Sequence, residues 1–369
     1  MACISVSGQW PYHRDKWLCP DIWGERNINK IPCLETMGEY ESAHTWSNEG
    51  LKERKEHPLL PLSMLACPAE GHFAYTPEKA QYIALYIKKA MYYGHVDPTK
   101  EGWLMERWKK NEKPSCIPAP VNQFKGDPAQ AFWFFDREMI EATLAYQSRY
   151  YNMKPQLVSV SQNGKTVSQQ NTHLQVHPAF MPQEDGITFQ LTPVFLDTVP
   201  GESPRLSNWT DLPVGASIGH AGKSPVLQMI TGPAVLVDSV TFRIQWNRGT
   251  LWTDKKSDIV FSITHPGDKE YKPAVQQAQI TIPVKNREGQ PQHIEFATLP
   301  DIKRGTKYVS LSAVSSCGLP VDFYVESGPA YVDGNRLILT AIPPKAAYPV
   351  KVTVIAWHCL LYTSPSPRD

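Results

Sequence analysis

Over its first hundred residues the chain alternates short apolar runs with stretches of helical character. Residues 2–7, Ala-Cys-Ile-Ser-Val-Ser, form a β-branched apolar run that predicts a buried strand. A second run, 31–37, stops at Gly38. A polar, helix-compatible stretch follows at 45–56, then a third apolar run at 59–66. Thr76-Pro77-Glu78 opens a further helix: Thr is a good N-cap, and Pro at the first helical position gives up an N–H that has no partner there. Ile83, Ile87, Ala90 and Met91 then recur at helical spacing through Tyr92. Strand and helix in alternation predict a parallel sheet with helices packed on it.

The pattern changes further on. Residues 96–154 are mixed and aromatic. Ala131-Phe-Trp-Phe-Phe135 leads to Asp136, a predicted N-cap for a helix over 137–150 with Met139, Ile140, Leu144 and Tyr151 on one side. Between 155 and 300 the period becomes two, as at 240–246, 258–264 and 278–282, with turn signals at Asn163-Gly164 and Arg287-Glu-Gly289. That pattern predicts an antiparallel sandwich. Residues 301–358 read as another β unit.

Composition narrows the function classes. Of 369 residues, 41% are hydrophobic and 20% charged, enough apolar surface for real cores and too much for a disordered chain. Lys and Arg number 37 against 36 Asp and Glu, a net charge of +1, which argues against nucleic acid as a partner because such binding needs a clustered positive footprint. No stretch reaches the ~18 consecutive apolar residues of a transmembrane helix. The 33 prolines break helices and favour short strands and loops. Seven cysteines show no Cys-x-x-Cys spacing, so no metal site and no cofactor is expected, while a disulfide pair in an exported protein is left unassigned. Thr264-His265-Pro-Gly-Asp268 reads as a turn, and His173 and His177 as exposed strand histidines.

The last eleven residues, Cys359-Leu-Leu-Tyr-Thr-Ser-Pro-Ser-Pro-Arg-Asp369, resemble one translated frame of a transposon adapter used in shotgun DNA sequencing. Residues 359–369 are therefore expected to be an artefactual tail and are set aside. A buried strand at residue 1 calls for neighbours from upstream, so the chain is expected to be a fragment open at both ends.

Two resemblances follow from the residues. Gly38-Glu-Tyr-Glu41 ends one predicted strand, Gly71-His72-Phe73 follows the next, and a closing helix begins at Thr76. In this order the stretch resembles the C-terminal half of an α/β-hydrolase domain of the serine-esterase kind. The resemblance implies Glu41 as the acid of a catalytic triad, with Glu39 as fallback, and His72 as the base. The chemistry needs such a pair: a hydroxyl is a weak nucleophile at neutral pH without an adjacent base, and the carboxylate fixes the imidazole tautomer. In that family the serine comes first, in a Gly-x-Ser-x-Gly elbow. The chain is read as lacking that elbow, which puts the nucleophile and most of the oxyanion hole upstream of Met1. Separately, Gly318-Leu-Pro-Val, Ser327-Gly-Pro-Ala330 and the Asp333-Gly-Asn turn resemble bacterial immunoglobulin-like modules.

The expected fold class is thus α/β, a partial α/β-hydrolase sheet, plus all-β sandwich and immunoglobulin-like domains. The expected boundaries are 1–95 for the hydrolase part, 96–154 for a helical connector, 155–300 for the sandwich and 301–358 for the last β domain. The expected function is that of a secreted or periplasmic bacterial esterase fragment acting on an ester or glycan-type substrate. The rival is a non-catalytic binding or cell-surface protein with a degenerate hydrolase domain. Trp10, Trp17 and Trp23 fall in one loop beside the implied site, where indole faces would either stack on substrate or cap the sheet as core; both readings stand.

Overall fold

The computed structural model describes residues 2–8, 10–11, 29–41, 43–72, 74–168, 175–201, 209–245, 256–283, 293–303, 305–316 and 318–358. The predicted tail at 359–369, the turn at 287–289 and the side chains of Trp17, Trp23 and His173 lie outside them. Among the described residues the protein is β-rich, with many short strands in small sheets and three α-helices.

By contacts the chain falls into two compact units, and neither is one continuous stretch. The first comprises residues 1–178, 191–230 and 260–279, the second residues 179–190, 231–259 and 280–369.

At the head of the first unit, strands β1 (Cys3–Val6), β2 (Cys33–Gly38) and β3 (Leu62–Cys67) lie side by side in the order β1-β2-β3, all parallel. Every residue of β2 and β3 is buried, as expected of apolar runs covered on both faces, whereas β1 is half exposed. Helix α1 (Ala43–Glu56) connects β2 to β3. Helix α2 (Pro77–Tyr93) follows β3, and the Thr76 hydroxyl accepts the Lys79 N–H at 3.1 Å, the cap that the sequence predicts. The buried stripe of α2 differs from expectation. It consists of Lys79, Tyr82, Tyr86 and Ala90, while Ile87 and Met91 face solvent. Tyrosine offers more apolar area than isoleucine, and here both hydroxyls find partners, Tyr82 with Thr143 at 2.8 Å and Tyr86 with Ser63 at 3.5 Å.

Strands β4 (Trp103–Glu106), β5 (Ala119–Pro120) and β6 (Ala131–Phe134) form an antiparallel sheet in the order β5-β4-β6. Helix α3 (Arg137–Gln147) follows, with Asp136 accepting the Met139 N–H at 3.0 Å as its N-cap. Residues of β2, β3, α2, β4, β6 and α3 share one hydrophobic core. Beyond α3 the described elements of the unit are mainly strands. Val158–Gln162 and Lys165–Thr166 make a two-residue hairpin, with Asn163 and Gly164 both at positive φ, and Thr192–Phe195 pairs antiparallel on its other side.

In the second unit Thr188–Gln190, Thr241–Ile244 and Ala234–Leu236 form an antiparallel sheet over the stacked rings of Phe189 and Phe242. Nearer the C-terminus, Ala330–Asp333 and Arg336–Leu339 form a hairpin closed at Gly334, and Asp322–Ser327 pairs with Thr353–Trp357. Among the described residues no helix is long and apolar enough to cross a membrane.

Candidate active site

The site begins where β2 and β3 end. Gly38 closes β2, and the chain turns at once, with the Glu41 N–H donating to the Gly38 carbonyl at 3.1 Å. Only glycine fits there: a Cβ at residue 38 would stand 2.3 Å from the Glu70 carbonyl oxygen. Strand β3 ends one residue after Ala66, and its loop lies against that turn. The Glu39 N–H donates to the Cys67 carbonyl and the Tyr40 N–H to the Glu70 carbonyl, both at 2.9 Å. The two loops at the carboxyl ends of neighbouring parallel strands are therefore stitched together through backbone.

This stitching brings Glu41 and His72 into contact. Glu41 is buried, with one carboxylate oxygen accepting the Gly38 N–H at 3.1 Å. The other oxygen, Oε1, lies 2.5 Å from His72 Nδ1. A carboxylate only accepts, so in the neutral ring Nδ1 carries the hydrogen and Nε2 the basic lone pair. That is the tautomer a general base requires. The imidazole is partly exposed while its carboxylate is not, 44% against 4% of the side chain. The hydrogen bond that Nδ1 donates to Glu41 raises the His72 pKa above its ordinary 6.5, against the opposing effect of burial.

Glu39, the fallback acid, has other work. Its Oε2 accepts the Ala69 N–H at 2.8 Å, and its Oε1 pairs with the buried Lys272 ammonium at 2.6 Å. Lys110 approaches the same oxygen at 3.7 Å and pairs with Asp211 at 2.7 Å. Between the two acids Tyr40 packs its ring on Trp209 and donates its hydroxyl to the Pro273 carbonyl at 2.7 Å. On the histidine side, Glu70 pairs with Lys79 at 2.6 Å and Arg149 at 2.8 Å and accepts the Tyr146 hydroxyl. The residues that flank the Glu41–His72 contact are thus tied to α2, α3 and the β segment around 272. None of these ties was legible in the sequence, because their partners lie up to 233 residues away.

Trp10 needs correction as a substrate-contacting residue. It is fully buried, its ring stacks on Phe132 and Trp46, and its indole N–H donates to the Trp46 carbonyl at 2.9 Å. Its faces are taken by the core. Trp17 and Trp23 lie outside the described residues.

A Gly-x-Ser-x-Gly string does occur downstream, Gly215-Ala-Ser217-Ile-Gly219, contrary to the expectation that the chain lacks one. It does not form a nucleophile elbow. Ser217 is exposed and bridges Thr198 in an isolated antiparallel pair, and the next described element is a strand, Val226–Thr231, not a helix. Ser5 and Ser7, which the sequence places within or at the end of the first strand rather than on a strand-to-helix turn, lie in and just after β1, and Ser7 has φ 51°, a left-handed conformation rare for a non-glycine residue.

Two further buried polar features stand out. His265 is buried at the end of its strand, with Nδ1 accepting the Gly267 N–H at 3.0 Å in the turn predicted there. Among the described residues no cluster of three His, Cys, Asp or Glu side chains could hold a metal ion. Glu35, in the middle of β2, is buried, with Oε1 accepting the Gly8 N–H at 3.2 Å and Oε2 lacking a hydrogen-bond partner among the described residues. Burial pushes its pKa up to about 8. A carboxyl raised in the folded state costs stability as pH climbs from its unfolded value of 4.5 through 8. Glu35→Gln is therefore expected to stabilise the protein by about 2–4 kcal/mol at pH 8.5 and to change little at pH 4.5. Urea unfolding at the two pH values checks this, and an equal effect at both would contradict it.

No protein-family model matches this chain, and no curated protein matches it either.

Proposed function

We propose that the first unit is part of an α/β-hydrolase of the serine-esterase type, in which His72 is the general base and Glu41 the carboxylate that orients it. The observation that carries this reading is the 2.5 Å contact between Glu41 Oε1 and His72 Nδ1 at the carboxyl ends of adjacent parallel strands. Open parallel sheets place reactive groups at that edge. The chemistry follows from the pair. Nε2 of His72 removes the proton from an attacking hydroxyl, the resulting imidazolium is stabilised by Glu41, and the proton passes to the leaving alkoxide. The family order of serine, acid, histidine puts the hydroxyl at a position before Glu41. The substrate class is a carboxylic ester, carbohydrate-linked where the β segments that follow help to bind it, and the setting is a bacterial periplasm or exterior.

The test is hydrolysis of nitrophenyl acetate by two proteins, the 369-residue chain and the same chain extended upstream in its gene. The reading expects no turnover by the first and turnover by the second. Turnover by the first that is abolished by Ser7→Ala would move the nucleophile to the end of β1. No turnover by either, together with measurable glycan binding, would favour the non-catalytic binding protein instead.

A further inference from the structure

We infer that Cys3 and Cys33 form a cross-strand disulfide that fastens β1 to β2 under oxidising conditions. The two residues are directly paired in the parallel ladder, Cys3 against Cys33, so their side chains leave the same face of the sheet side by side. Neighbouring strands lie about 4.8 Å apart, inside the range of roughly 4.4–6.8 Å that disulfides span between Cα atoms. The backbone already holds this register, since the Cys3 N–H donates to the Pro32 carbonyl at 2.9 Å and the Ser7 N–H to the Thr36 carbonyl at 2.8 Å. The two thiols share a hydrogen bond, which with burial raises the Cys33 pKa. Exposure differs in a useful way: Cys3 is open to solvent and Cys33 is buried.

The other described cysteines have no such partner. Cys67 sits opposite Gly38 in the ladder and points its thiol at the Leu65 carbonyl, and Cys116 lies near the Ile117 carbonyl.

With a small disulfide such as oxidised glutathione as oxidant, the step balances. The exposed Cys3 thiolate attacks one glutathione sulfur, and the first glutathione leaves as a thiolate. Cys33 then loses its proton to solvent and attacks Cys3 Sγ, expelling the second glutathione. Two protein thiols become one disulfide and one glutathione disulfide becomes two thiols. The raised Cys33 pKa leaves little thiolate at neutral pH, so the second step is the slower of the two and its rate climbs with pH.

The consequence lies in the sheet. β1 has four residues and is half exposed, so its attachment to β2 is the weakest pairing of the three strands. A covalent bond there closes the loop between residues 3 and 33 and holds β1 on the strand that carries Gly38 into the Glu41 turn. This inference stands independently of the esterase reading.

The test uses the whole chain, incubated at pH 8 with oxidised glutathione or with dithiothreitol, then alkylated and digested without reduction. The expected result is a peptide joining Cys3 to Cys33, two hydrogen atoms lighter than the reduced pair. The oxidised protein is expected to melt about 5 °C or more above the reduced one. Cys3→Ser should abolish both the peptide and the shift. Because that side chain is exposed, the variant should fold. Full alkylation of Cys3 and Cys33 after oxidation would overturn the inference. So would a glutathione adduct on Cys3 that never resolves, or a cross-link from Cys3 to any other cysteine.

Discussion

Replacement of His72 by alanine in the upstream-extended protein is expected to lower ester hydrolysis by on the order of 10⁵–10⁶-fold. The size follows from how triads act as a unit: without the base, the hydroxyl is not deprotonated and the remaining members contribute only binding and oxyanion stabilisation. His72 is partly exposed, but its removal takes a hydrogen-bond donor from the buried Glu41 carboxylate, at a cost of about 1–3 kcal/mol. Glu41→Gln is expected to be milder, roughly 10⁴-fold, because an amide can offer Nδ1 the wrong partner and favour the wrong tautomer while leaving the ring in place. The pH dependence has a definite sign. The base works only when neutral, and Glu41 raises its pKa, so the rate should climb with pH through a midpoint above 6.5. Steady-state hydrolysis of nitrophenyl acetate from pH 5 to 9 measures all three. An unchanged rate in His72→Ala would end the assignment of His72 as base.

Lys272→Met is expected to cost about 3–5 kcal/mol of stability, although the residue lies far from the histidine in sequence. The reason is the charge it leaves behind. Glu39 and Lys272 are each about 94% buried and pair at 2.6 Å, and removing one member strands the other in a poor solvent for ions. Lys110 at 3.7 Å from Glu39 offsets part of this. Burial lowers the Lys272 pKa even though Glu39 works to raise it, which shows that desolvation is the larger influence on the ammonium. The double variant Glu39→Gln/Lys272→Met should recover most of the loss, since no unpaired charge then remains. Urea unfolding of wild type, the two single variants and the double variant closes the cycle. A Lys272→Met protein within about 0.5 kcal/mol of wild type would show that the pair has no structural weight. The same change should weaken the placement of Glu41, because Glu39 and Tyr40 anchor the turn that precedes it.

What the sequence made legible was local. A strand that ends at Gly38, an acid three residues later, and a Gly-His after the next strand need only the right-handed order of a parallel sheet to bring Glu41 and His72 together. Caps at Thr76 and Asp136 are equally local, each set by one side chain and one N–H within three residues. What was illegible depends on distant partners. Glu39 and Glu41 are alike as letters, and only the arrival of Lys272 and the Ala69 N–H at one of them, and of His72 at the other, separates their roles. Trp10 could not be told from a substrate-facing indole until Phe132 and Trp46 closed over it. The α2 face went astray for a related reason: aliphatic residues mark a stripe in sequence, but the core accepted the tyrosines beside them because Thr143 and Ser63 met their hydroxyls. The string Gly215-Ala-Ser217-Ile-Gly219 shows the converse. The letters of a nucleophile elbow carry no chemistry where no strand-to-helix turn presents the serine.

The central claim, that Glu41 holds His72 as a base, is tested most directly by following the His72 ring protons by NMR through a pH titration of the chain, as wild type and as Glu41→Gln. The account predicts a wild-type midpoint above 6.5 that falls to 6.5 or below in the variant, because the hydrogen bond to a charged carboxylate is lost while the burial that opposes protonation remains. Identical midpoints in the two proteins would contradict it.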